Sequence, residues 1–178
     1  MLLTTAHGRQ IDLMKISASD INIQDIAHGL SNLCRFAGHT RQFYSVAQHS
    51  VRVALSLPPE WALSGLLHDA TEAYVVDLPR PVKALLPDYI VLESRVWRAI
   101  AHRYKLDLQE PSIVKTADNR ALRTEWEELM PGPMPPEFAA LRPIRAESPE
   151  PPDVARRRFL RVFDQLAGPL MAYQEGLR

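Results

Sequence analysis

Residues 61–74, WALSGLLHDATEAY, decide how this chain folds. Leu63, Leu66, Leu67 and Ala70 recur at helical spacing, which predicts a helix anchored by one buried face. Pro58 and Pro59 stop the segment before it and start this one, since proline is tolerated in a first helical turn. His68 and Asp69 sit late in the helix, about 100° apart around its axis, so an imidazole and a carboxylate can reach one point near its surface. Glu72, three residues after Asp69 and four after His68, shares their face one turn further on.

Working outward, residues 43–57 place Val46, His49, Ser50, Val53, Ala54 and Leu57 on one face of a preceding helix, so His49 points inward. Residues 35–42, polar with one glycine, read as the loop before it. Ile23, Ile26, Ala27, Leu30 and Leu33 mark a helix ending near Cys34, with Asn22 and Asp25 resembling its N-terminal cap. Residues 2–16 alternate weakly around Gly8 and predict a small β-hairpin.

Downstream, a loop at VVDLPRP leads to helical patterns over 81–86 and 88–104, the second with Ile90, Val91, Val96, Trp97, Ile100 and Ala101 apolar. Pro111 opens a helix over 111–129 in which Val114, Ala117, Asp118, Ala121, Leu122 and Glu125 share a face. Residues 131–152 hold more than half of the fifteen prolines and read either as an ordered cover or as a mobile loop. A C-terminal helix over 153–167 follows, with Phe159, Val162, Phe163 and Leu166 apolar. The class is all-α, with the small hairpin at its start, in a single domain spanning 1–178 whose core is about 22–130.

Bulk composition narrows the function. Apolar residues at 46% and charged ones at 24% are the balance of a globular chain, and no stretch approaches 18 consecutive apolar residues. With 21 basic and 21 acidic residues the formal charge is zero, so no global field draws nucleic acid or an anionic membrane. The single Cys34 excludes an internal disulfide framework and multi-thiolate zinc sites and fits a reducing compartment; without a signal-like N-terminus, the expected location is the cytoplasm.

The chemistry therefore rests on polar residues that interrupt apolar faces: His49, His68, Asp69 and Asp118. An ionised aspartate buried without partners is costly. Two imidazoles with two carboxylates suit a first-row divalent ion and leave positions for water or substrate. The same four groups also fit a buried ion-pair network that orders the core, and residue types alone leave both readings open.

The pattern H…HD…D formed by these residues resembles the HD-domain superfamily of metal-dependent phosphohydrolases. More narrowly, YSVAQHS (44–50), LLHDATEAYVVDLPRPVK (66–83) and KTADNRALRTE (115–125) resemble the branch containing bacterial 5'-deoxynucleotidases and phage dATP triphosphohydrolases, over roughly residues 22–130. The resemblance implies an HD-type helical bundle in which His49, His68, Asp69 and Asp118 hold one divalent transition-metal ion (cobalt, manganese, zinc, iron or nickel), with magnesium able to arrive on substrate phosphates. It implies Glu72 as general acid/base. It sets Asp77 beside the nucleotide as a second catalytic residue, assisting catalysis or holding the sugar, where local sequence alone equally suggests a helix cap, and it sets Lys83 near the phosphate.

Arg35 and Phe36, fourteen and thirteen residues before His49, match the Arg-Trp pair of the deoxynucleotidases with phenylalanine in place of tryptophan; Phe36 also reads as a core residue closing a helix end. His7, His28, His39 and His102 lack ligand-like spacing. The run Arg156-Arg157-Arg158 with Arg161 reads as a solvated helix face or an oligomer interface, and a homo-oligomer is expected.

The implied activity is release of triphosphate from a deoxynucleoside triphosphate, dATP above all, with Arg35, Arg41, Arg80 and Lys83 as local cations. The alternatives are a 5'-deoxynucleotidase acting on monophosphates and a non-catalytic nucleotide sensor. An RNA-processing or ppGpp-type hydrolase is disfavoured by the neutral charge and short chain.

Overall fold

The computed structural model describes residues 2–175. Its fold is all-α with one small hairpin, in which β1 (Leu3–Thr4) pairs antiparallel with β2 (Gln10–Ile11) and turns at Gly8, as the alternation predicted. The helices follow as α1 (Ile23–Asn32), α2 (Val46–Leu55), α3 (Pro59–Leu67), α4 (Glu72–Val75), α5 (Arg80–Lys83), α6 (Pro87–Tyr104), α7 (Ser112–Leu129), α8 (Pro136–Ala139) and α9 (Pro152–Glu175). No helix among the described residues is long and apolar enough to cross a membrane.

The core is built around α2, which α1, α3, α7 and α9 pack against. Periodicity predicted one buried face for α2, but every residue from Val46 to Ala54 is buried, because neighbours close on it from all sides. Its polar residues must therefore be satisfied internally. The Ser45 side chain caps the helix by accepting from the Gln48 amide at 3.1 Å, so the helix begins after Ser45 rather than at Phe43. Asn22 caps α1 by accepting from the Gln24 amide at 2.8 Å, whereas Asp25 takes no part in that cap and accepts from the His7 amide at 3.2 Å instead.

Two glycines set how closely helices approach the site. A Cβ on Gly65 of α3 would run into the Leu57 side chain and stand 3.3 Å from the Ala54 Cα. A Cβ on Gly29 of α1 would stand 2.9 Å from the Ala73 Cβ, so only glycine lets α4 sit this deep.

The helix expected over 61–74 is interrupted. α3 ends at Leu67, and the chain passes through tight turns in which the amides of Ala70 and Glu72 bond three residues back, to Leu67 and Asp69. The Gly65 carbonyl, which an unbroken helix would offer to the Asp69 amide, instead accepts from the His68 ring at 2.7 Å. Glu72 thus opens a new helix, α4, rather than extending the face of His68 and Asp69.

The proline-rich stretch is an ordered strap. Buried Gln48 donates to the Ser148 carbonyl at 2.8 Å and accepts from the Glu150 amide at 2.9 Å, while Arg52 Nε donates to the Arg145 carbonyl at 2.9 Å. Arg158 pairs with Glu147 at 2.6 Å and Glu150 at 2.9 Å, so this member of the basic run ties down the strap instead of facing solvent. α9 extends past the predicted end, to Glu175.

Candidate metal centre

α2 contributes His49, the α3–α4 junction contributes His68 and Asp69, and α7 contributes Asp118. His49 Nε2 lies 3.3 Å from His68 Nε2, 3.3 Å from Asp118 Oδ1 and 3.5 Å from Asp69 Oδ2. His68 Nε2 lies 3.2 Å from Asp69 Oδ2 and 3.9 Å from Asp118 Oδ1. An ion bound tetrahedrally at about 2.0–2.1 Å holds its ligand atoms about 3.4 Å apart, so this spacing leaves room for one ion.

Protonation makes the same point. His49 Nδ1 bonds to Glu125 Oε1 at 2.8 Å and His68 Nδ1 bonds to the Gly65 carbonyl at 2.7 Å, and each acceptor can only receive. Both rings therefore carry a proton on Nδ1 and turn Nε2 toward each other and toward two carboxylate oxygens. Four electron-rich atoms facing one point require a proton or a cation between them. The buried His49, His68 and Asp118 group can hold a metal ion, and Asp69 Oδ2 stands within 3.5 Å of both imidazole nitrogens.

Ionisation follows this crowding. Burial works against charge on His68, but Asp69 and Asp118 outweigh it and push the imidazole up to about 9. Burial also opposes charge on Asp69, and the His68 imidazole overrides it and holds the carboxyl low. Asp118 is held well below the usual carboxylate range despite its burial, by its bonding to His49 and the nearby His68.

Behind the ligands lies Glu125, wholly buried on α7 two turns after Asp118. Besides holding the His49 ring, it meets Arg35 Nε at 3.0 Å. Sequence reading put Glu125 on the right face and assigned it no role. The signal was an acid on an apolar stripe at the same phase as Asp118.

Arg35 is itself buried and reaches Asp69 Oδ2 at 3.5 Å, so it props both a candidate ligand and the carboxylate behind another. Arg80 and Lys115 bracket Asp118 Oδ2 at 3.4 and 2.8 Å. Of the cations expected near the site, Arg41 is misplaced: its amide bonds to the Leu129 carbonyl and it lines a separate surface depression with Gln42 and Glu128.

The centre opens onto a cavity of about 520 Å³ that brings together Arg35, Phe36, Glu72, Asp77 and Lys83 with Asp69 and Asp118. Glu72 is buried with Oε2 unpartnered; burial and then the charges of Asp69 and Asp77 raise its pKa well above the ordinary value. Asp77 is also raised, by burial first, with Arg35 pulling the other way. Lys83 lines the cavity and pairs with Glu93 at 2.6 Å.

The far wall is apolar, formed by Leu122, Trp126, Met130 and Phe138. Phe36 meets Trp126 edge to face with ring centroids 5.6 Å apart. Trp126, Phe138 and Lys115 were not singled out from sequence.

A second cavity, of about 510 Å³, lies against His68 and shares Asp69, Lys83 and Lys115 with the first. Ser64, Ser94 and Arg98 also line it.

No family model matches the chain. It is similar to the YfdR protein of Escherichia coli (strain K12), with 46% identity over 127 residues that make up 71% of each chain. It is also similar to the RCAP_rcc00048 protein of Rhodobacter capsulatus, with 36% identity over 136 residues that cover 68% of this chain and 69% of the relative. Neither relative's name states an activity, so the chemistry rests on the site.

Proposed function

For a chain that belongs to the family of Escherichia coli YfdR, we propose a divalent-metal-dependent phosphohydrolase of the HD-domain type acting on deoxynucleotides, with deoxynucleoside triphosphates, dATP foremost, as substrates. The observation that carries this reading is the convergence of two Nδ1-protonated imidazoles and two carboxylates on one point, next to a buried, protonation-prone Glu72 with a free oxygen.

His49, His68, Asp69 and Asp118 would hold the ion. When bound, it supplies a Lewis acid for a phosphoryl oxygen and acidifies water. Glu72, kept protonated by burial and by its acidic neighbours, donates its proton to the leaving O5' and is reprotonated by the one that the attacking water sheds in the same turnover. Asp77 keeps the Glu72 proton in place electrostatically and faces the nucleotide from the same wall. Phe36, Trp126 and Phe138 give an aromatic wall against which a base or sugar packs while water is excluded. Lys83 and Lys115 supply positive charge at the junction of the two cavities, and Arg80 adds to it from the wall of the first.

Water attacks the phosphorus nearest the sugar and the bond to O5' breaks, leaving a deoxynucleoside and, from a triphosphate, intact triphosphate. The room beyond the centre, with Ser64 and Arg98 on its walls, supports the triphosphate reading. A second reading, a 5'-deoxynucleotidase, is favoured by one observation: Lys83 is already paired with Glu93, and Arg80 and Lys115 with Asp118, which leaves less free charge for a long phosphate chain.

The test is to incubate dATP and dAMP separately with the protein and Mn²⁺, Co²⁺ or Mg²⁺. Deoxyadenosine with intact triphosphate from dATP is expected. Cleavage of dAMP alone selects the second reading, and nucleotide binding without turnover of any substrate points to a sensor.

A further inference from the structure

Residues 80–91, RPVKALLPDYIV, contain α5 and the first turn of α6, and none of them is buried. Val82, Leu85, Leu86, Ile90 and Val91 remain 44%, 79%, 42%, 44% and 57% exposed. Ile90 and Val91 belong to the apolar pattern read over 88–104, yet among the described residues the core reaches only Val96, Ala99, Ile100, Ala101 and Tyr104 of that helix. Five aliphatic side chains on one corner approach the several hundred Å² of contiguous apolar surface that monomers rarely leave open, about half of the roughly 800 Å² each partner buries in a stable dimer.

The charges beside this corner point to its occupant. Asp88, Val91, Arg95 and Arg98 follow one another at spacings of three and four along α6 and so share a stripe. Along α6 the acid lies before Ile90 and Val91 and the two bases after them. Asp88, Arg95 and Arg98 form no ion pair among the described residues. A stripe that reads negative, apolar, positive is complementary to itself when two copies meet antiparallel about a two-fold axis. The formal net charge of zero adds no repulsion between copies.

We propose that this face binds a second copy of the chain, with α6 against α6, Val91 at the axis with Ile90 flanking it, and Asp88 of each copy opposite Arg95 of the other. The inner side of α5 lines the candidate catalytic cavity through Arg80, Pro81 and Lys83, so the dimer would brace that wall. The surface stands independently of the reaction proposed above.

Sedimentation of the full chain tests it. Wild type is expected to be a dimer at about 10 μM, and Leu85→Glu combined with Val91→Glu is expected to be a monomer with unchanged helical circular dichroism. Asp88→Arg and Arg95→Asp should each weaken the dimer about tenfold or more, and the two together should restore it. A wild type that stays monomeric at about 100 μM overturns the proposal, as does a dimer indifferent to all these changes. A monomer that co-sediments with anionic phospholipid vesicles through this corner overturns it in favour of a membrane occupant.

Discussion

The two ends of the candidate site are built differently. At the ligand end, His49, His68 and Asp118 project from helices or helix termini whose other residues fill the core, and Glu125 and the Gly65 carbonyl lock the rings. At the cavity end, part of the wall comes from irregular backbone. Phe36 and Ala37 adopt left-handed φ of 54° and 51°, and Val76, next to Asp77, has φ 67° with ψ 159°, a region almost reserved for glycine. The first end is rigid by packing, which suits holding an ion; the second stores strain beside the cavity.

If this division is correct, mutations at the two ends should separate into distinct kinetic classes. The largest effect is expected where the ends meet. Glu72→Gln should lower kcat by about 10²–10⁴-fold while metal content and thermal stability stay near wild type, because it removes proton transfer and not ligation. Near-normal turnover would show that another group handles the proton.

Glu125→Gln probes the ligand end from behind. It keeps the shape but loses the charge that orients His49 and faces Arg35, and should weaken metal affinity about 10–100-fold by titration. Unchanged affinity would reduce Glu125 to a packing residue. At the cavity end, Phe36→Ala or Trp126→Ala should raise KM about tenfold with kcat and metal content little changed, as expected for lost stacking. A fall in kcat with unaltered KM would place the nucleoside elsewhere.

The smallest expected effect is in the pH profile. Burial, Asp69 and Asp77 raise the Glu72 pKa, so the acid form needed for donation is present below that pKa and lost as pH rises through it. Asp77→Asn removes one of the raising charges and should move the alkaline limb of kcat toward lower pH by up to about one unit. A limb that stays in place would mean that the titrating group is not Glu72.

The same contrast explains what was legible in the sequence. His49, His68, Asp69 and Asp118 stand out because each is a polar residue on an apolar helical stripe, and stripes are periodic. The break after Leu67 is invisible to periodicity, since it coincides with one bond from an imidazole to a backbone carbonyl. The left-handed turn at Phe36 and the extended strain at Val76 are set by tertiary contacts, and neither residue type announces them. The strap was compositionally obvious, but its order comes from buried Gln48 and Arg52, whose partners lie about a hundred residues away in sequence. Ile90 and Val91 teach the converse: apolar spacing identifies a face that wants covering and does not say that this chain covers it.

The most direct test of the ligand end is metal content. Purified wild type, stripped and reloaded with Mn²⁺, Co²⁺ or Zn²⁺, is expected to hold about one ion per chain by mass spectrometry, and to melt at a lower temperature when chelated. His68→Ala and Asp118→Ala are expected to hold none. A wild type that takes up no divalent ion and melts identically with and without chelator would contradict the site, and would make the four residues a buried ion-pair network.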